Sequence, residues 1–169
     1  MDEGRGIRWG WCATVAMAVL MVVPALHFYV RNLQDPMLLD YLSYWAAGQL
    51  TLGGDPAAAW DMASHRAVMT TVTDQRGILP FPYPPPFLFP LLPFALLPYH
   101  LSFAAWVMVT GAFYLWSARR VAPLLNASAQ PAVLINLLIG QNGFLTAGLF
   151  FSGVRWLTER PFRAGLILG

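Results

Sequence analysis

Charge is what this sequence has least of. Only 11% of its 169 residues are charged, against about 25% in soluble domains, which excludes an ordinary water-soluble globule. Lysine is missing altogether, and all ten basic residues are arginines. Eight acidic residues leave a net charge of +2, too little to draw in nucleic acid. Cysteine occurs once, at Cys12 in an apolar run, so no disulfide framework forms within the chain. His65 stands alone among scattered aspartates, which makes no metal set. The apolar runs hold essentially no Asp, Glu or Arg, and ion-coupled transport ordinarily needs ionisable groups at mid-membrane.

What the sequence has in abundance is oil, 57% of its residues. Several apolar stretches reach or approach the ~20 residues that cross ~30 Å of hydrocarbon. Residues 9–30 read as a first crossing, with Trp9 and Trp11 at one end and Phe28 and Tyr29 at the other. No A-x-A-like cleavage site follows, so this run reads as a retained helix rather than a signal peptide. Arg5 and Arg8 before it place the N-terminus in the cytoplasm by the positive-inside rule. A second crossing runs over 99–118 and ends at Arg119 and Arg120 on the same side. Residues 123–139 and 144–158 read as a third and a fourth, turning outside at Gly140-Gln141-Asn142-Gly143. A fifth begins at 162–169, so the chain reads as the opening part of something longer. The expected fold is an all-α polytopic membrane protein, a single domain over 1–169.

Between the first two crossings lies a polar stretch, 31–86, with five of the eight acidic residues: Asp35, Asp40, Asp55, Asp61 and Asp74. On this topology it is extracytoplasmic. Leu38, Leu39, Leu42, Trp45, Ala46 and Leu50 fall at near-helical spacing and predict an amphipathic interfacial helix. Gly53-Gly54 ends it, and Asp55-Pro56 reads as a turn. A polar helix is expected from about Ala57 to Asp74. Phe81-Pro82-Tyr83-Pro84-Pro85-Pro86 lacks amide donors and should be extended and stiff. The proline-broken run 87–97 reads as a re-entrant or interfacial helix.

Charge asymmetry alone thus sets Asp40, Tyr83-Pro84 and Gln141-Asn142 on one side of the membrane. Asp40, beside Tyr41 and one turn before Tyr44, suits a general base taking a proton from an attacking hydroxyl. It also suits an aspartate that only caps or solubilises an interfacial helix, and position alone favours that reading. Asp61 can pair with Arg66 or shape an acceptor pocket. Arg31, Arg66 and Arg76 suit an anionic phosphate or a lipid headgroup.

In order along the chain stand Asp40-x-x-x-Tyr44, Gly53-Gly54-Asp55-Pro56 with Trp60-Asp61, and Phe81-x-Tyr83-Pro84-Pro85. Pro90, Pro93 and Leu97-Pro98 follow, then Gly140-Gln141-Asn142 and Ala164-Gly165-Leu166. From about residue 10 to 169 this pattern resembles glycosyltransferase family 87, also catalogued as domain of unknown function 2029. Its members are polytopic GT-C-type enzymes related to bacterial polyprenol-phosphate-mannose-dependent mannosyltransferases.

The resemblance implies transfer of a mannose-like sugar from a polyprenyl-phosphate donor to a hydroxyl acceptor outside the cytoplasmic membrane. It also implies inversion at the anomeric carbon and Asp40 as the base. Tyr44, Tyr83, Gln141, Asn142 and Arg66 become substrate-binding candidates. No cofactor is implied beyond the lipid-linked donor, and the expected partners are membrane lipid and the missing C-terminal half or a second chain. The aromatic residue that often follows the Gly-x-Asp-Pro turn is absent, with Ala57, Ala58 and Ala59 in its place. Two other readings remain open, a non-catalytic membrane subunit and a lipid-linked carrier.

Overall fold

The computed structural model describes residues 3–34, 36–37 and 39–168, with side chains at 12, 15, 16, 19, 20 and from 22 onward. Asp35 and Leu38, and the side chains of Arg5, Arg8, Trp9 and Trp11, lie outside the described residues. Every regular element among them is helical. The helices are α1 (Glu3–Gln34), α2 (Asp40–Leu52), α3 (Met62–Met69), α4 (Leu88–Ala95), α5 (Tyr99–Ala118), α6 (Leu124–Ser128), α7 (Pro131–Ile139), α8 (Gly143–Trp156) and α9 (Pro161–Leu168). Two short 3-10 helices, Pro56–Trp60 and Pro85–Phe87, stand between them. Among the described residues one helix, Tyr99–Ala118, is long and apolar enough to cross a membrane.

The chain forms two compact units. The first comprises Met1–Phe28, Val109–Leu138 and Asn142–Gly169, and the second Tyr29–Met108 with Ile139–Gln141.

Helix α2 is the core of the second unit. Tyr41, Leu42, Ser43, Tyr44, Ala46, Ala47 and Gly48 are all buried along it, so it is covered on most of its faces. That corrects the expectation of a one-sided interfacial helix. The reason is the run of small residues, which lets neighbours come close on sides where hydropathy looks neutral. At Gly48 a Cβ would stand 2.6 Å from the Ala95 Cβ of α4, and Gln49 donates its amide to the Ala95 carbonyl. Trp45 Nε1 donates to Leu97 O at 3.0 Å.

The end of α2 is a Schellman motif. Gly54 takes φ +90°, its N–H meets Thr51 O at 3.1 Å, and Asp55 N–H meets Leu50 O at 3.1 Å. Asp55 then accepts from Ala58 N and caps the 3-10 helix. Ala58 and Ala59 are buried there, small enough for this turn to pack on α2. Asp61 accepts from Ser64 N at 2.8 Å and caps α3.

The expected helix over 57–74 is therefore two shorter pieces divided at this cap. Asp61 serves the cap; no bond to Arg66 joins them among the described residues. The proline triplet also differs from expectation. Pro85 and Pro86 open a 3-10 turn closed by Phe87 N–H to Pro84 O at 2.9 Å. At the first helical positions a missing amide N–H removes no bond.

In the first unit, the apolar run 123–139 breaks at Pro131 into α6 and α7, because proline supplies no amide to a helix interior. α7 has nine residues and α8 fourteen, each short of a full span. α8 starts where Asn136 accepts from Phe144 N–H at 3.2 Å and donates to Ala132 O at 2.8 Å. Its glycines admit close neighbours: a Cβ at Gly148 would lie 2.5 Å from the Phe113 ring, and one at Gly153 2.5 Å from Leu168.

Candidate active site at the start of helix α2

Asp40 is the first residue of α2, where a carboxylate faces the positive end of the helix dipole. Its Oδ2 accepts a hydrogen bond from Gln141 Nε2 at 2.7 Å, between residues 101 apart in sequence. Such a short bond to a charged acceptor is of the stronger class and fixes the carboxylate plane. A carboxylate has about four lone-pair sites and no proton to give. Among the described residues no donor reaches Oδ1, which leaves it open to a further hydroxyl, and both side chains are half-buried rather than sealed.

The turn that carries Gln141 is tightly seated. Gly140 has φ +67°, in the left-handed region open chiefly to glycine. A Cβ there would lie 2.7 Å from the Tyr41 Cβ and 2.8 Å from the Phe103 ring. The Gly140 carbonyl accepts from Trp106 Nε1 at 3.0 Å.

One turn along α2, Tyr44 is 3% exposed, and its hydroxyl meets the Tyr83 hydroxyl at 2.8 Å. The Tyr83 ring stacks on Phe87, centroids 4.3 Å apart, and its carbonyl accepts from Trp60 Nε1 at 3.1 Å. Asp40, Gln141, Tyr44 and Tyr83 thus line up along the first two turns of α2, backed by an aromatic cluster.

The Tyr41 hydroxyl is already committed to a structural bond. The Ser102 hydroxyl donates to Phe94 O at 2.7 Å, so the Tyr41 hydroxyl must donate to Ser102 Oγ. Burial holds this phenol protonated well above its ordinary range. Likewise His65, 1% exposed, sits against Ser43 Oγ at 3.3 Å. Ser43 donates to Pro80 O at 3.1 Å, and burial lowers the histidine's affinity for a proton. Asp61 is held below the usual carboxylate range by its bonds to Ser64.

The remaining candidates fall elsewhere. Arg66 lies exposed on α3, with no ion pair among the described residues. Asn142 belongs to the first unit, at the N-cap position of α8, and makes no capping bond with its side chain. A hollow of about 600 Å³ in the first unit is walled by Phe113, Trp116, Phe151 and Trp156, with Arg120 and Arg155 beside them. Among the described residues no carboxylate lines it. No cluster of three or more His, Cys, Asp or Glu that could hold a metal occurs among the described residues.

Sequence reasoning overlooked Trp106. It stands in the middle of an apolar run, where a tryptophan carries no signal of a polar duty. The Gly140 turn was visible, but not that its neighbours would leave no space for a side chain.

Residues 81–169 match the family model described as glycosyltransferase family 87. Tyr83, Gln141 and Asn142 lie within the matched residues, whereas Asp40, Tyr44 and Arg66 precede them. No curated protein and no solved structure matches the chain.

Proposed function

The chain belongs to glycosyltransferase family 87, and on that premise we propose that it transfers a mannose-like sugar from a polyprenyl-phosphate donor to a hydroxyl acceptor at the outer face of a bacterial cytoplasmic membrane. Asp40 is the general base. Its free oxygen takes the proton of the acceptor hydroxyl as that oxygen attacks the anomeric carbon. The new C–O bond forms while the bond from carbon to phosphate oxygen breaks, and polyprenyl phosphate leaves with the electron pair. Attack opposite the leaving group inverts the anomeric centre.

The observation that carries this reading is the 2.7 Å bond from Gln141 to Asp40. A carboxylate that only solubilised a helix end would need no partner brought from 101 residues away. Held by a neutral amide and paired with no cation among the described residues, it keeps one oxygen for a hydroxyl. Positioning of this kind is how a base contributes its usual 10²–10⁴-fold. Tyr83, half-buried, offers a ring and a hydroxyl to a sugar, and the buried Tyr44 holds it through the bond between their hydroxyls.

The membrane setting rests on α5, whose length and apolarity suit a crossing, and on Arg119-Arg120 at its end as a cytoplasmic anchor. In this reading α1 and the shorter helices complete a polytopic GT-C-like bundle with the N-terminus in the cytoplasm. Further helices, from the same chain or a partner, complete the donor site.

The test is Asp40→Asn in the protein in its native membranes. The readout is transfer of label from polyprenyl-phosphate-[14C]mannose to membrane acceptors. The expected result is a loss of at least about 10²-fold with the protein still folded. Unchanged transfer would remove Asp40 from the reaction.

A further inference from the structure

We propose that Trp106 is a positioning residue that sets the orientation of the Asp40 carboxylate through the Gly140-Gln141 turn. The chain of contacts is short and each link is directional. Trp106 is 1% exposed, and its indole N–H donates to the Gly140 carbonyl at 3.0 Å. Gln141, the next residue, donates to Asp40 Oδ2 at 2.7 Å.

The indole cannot easily take another pose. Its ring is fixed by Phe94 (centroids 5.3 Å apart), Tyr41 and Tyr44 (5.9 Å each) and Phe87 (6.5 Å). A buried indole N–H needs an acceptor, and the Gly140 carbonyl supplies one. The other side of the turn is closed by Tyr41 and Phe103, which leave no space for a Cβ at Gly140. The backbone that carries Gln141 is therefore held from two sides, by a hydrogen bond and by steric contact.

A consequence is visible in how the chain divides. Ile139–Gln141 pack with the second unit, although Leu138 before them and Asn142 after them belong to the first. These residues leave their sequence neighbours for the Trp106 pocket, and Gln141 is the one that reaches the carboxylate. Trp106 also touches the Tyr44 ring. That Trp106 orients Gln141 stands on this geometry alone; its catalytic consequence rests on Asp40 being the base.

The experiment labels the side-chain amides of glutamine with 15N, which gives five NH2 pairs from this chain, in detergent-solubilised protein. Asp40→Asn identifies the Gln141 pair by displacing it. Trp106→Phe is expected to displace the same pair by at least half as much and to leave the other four in place. If Trp106→Phe does not fold, Trp106→3-benzothienylalanine keeps the ring's shape and removes only the N–H. A Gln141 pair left unmoved by a folded Trp106 variant overturns the proposal.

Label transfer provides the second arm. Trp106→Phe should lower transfer roughly tenfold to a hundredfold in the otherwise native chain, and change nothing further in a Gln141→Leu background. An equal loss in both backgrounds means that Trp106 does not act through Gln141, and also overturns the proposal. Should Asp40→Asn leave transfer intact, the catalytic reading fails by itself and the spectrum still decides the coupling.

Discussion

Replacing Gly140 by alanine separates two effects that are usually confounded, and Gly54 supplies the control. Both glycines have positive φ, +67° and +90°. An L-residue held in the left-handed region costs about 1–2 kcal/mol, so this part of the penalty is common to both sites. Space is what differs. Around Gly54 nothing lies within 4 Å of an added Cβ, whereas at Gly140 it meets the Tyr41 Cβ at 2.7 Å and the Phe103 ring at 2.8 Å. Relaxed carbon contacts lie at about 3.5–4.0 Å. The Phe103 ring can tilt, but the Tyr41 Cβ is fixed to the backbone of α2 and moves only with the helix. Overpacking of this kind costs about 1–3 kcal/mol. Gly140→Ala should then destabilise by about 2–5 kcal/mol and Gly54→Ala by about 1–2 kcal/mol. The assay is the unfolding midpoint in mixed micelles titrated with SDS, followed by tryptophan fluorescence. Equal midpoints for the two variants would refute the tight seating of the turn, and with it the fixed placement of Gln141.

Two further predictions use the same assay. Gly48→Ala should destabilise by about 1–3 kcal/mol, because its Cβ would meet Ala95 at 2.6 Å; Gly165→Ala, with open space around it in α9, should instead stabilise by about 0.5–1 kcal/mol through helix propensity, and the opposite order would mean that α2 and α4 are not in close contact. Burial depresses the proton affinity of His65 in the folded chain, so the unfolded chain binds the proton first as pH falls. Its contribution to stability is therefore complete above the ordinary histidine value of about 6.5 and is lost on acidification below it. His65→Gln should flatten the fall in midpoint between about pH 7.5 and about pH 5.5, and a slope unchanged by the substitution would place the effect elsewhere.

Much of the helical framework could be read from local rules. The apolar run 99–118, closed by Arg119-Arg120, is the helix Tyr99–Ala118, since length, hydropathy and an end signal all act within the segment. The double glycine after Leu52 and the turn at Asp55-Pro56 likewise became a helix end and a cap, whereas Asp61, read inside a helix over 57–74, instead caps the start of α3. Reading failed where one local rule met another: the proline triplet looked extended, yet prolines at the first positions of a 3-10 turn lose nothing.

The site divides the same way. From the sequence itself come Asp40 as the candidate carboxylate, its place in the first turn of a helix, and a turn at Gly140-Gln141-Asn142-Gly143. Only the tertiary structure decided that Gln141 reaches Asp40 while its neighbour Asn142 stands at the start of α8 in the other unit, and that a tryptophan in an apolar run bonds the carbonyl of the Gly140 turn. The physical reason is range. Caps, turns and periodicity are settled by groups within about a helical turn of one another, whereas a hydrogen bond across 101 residues exists only once packed side chains have brought two distant backbones together.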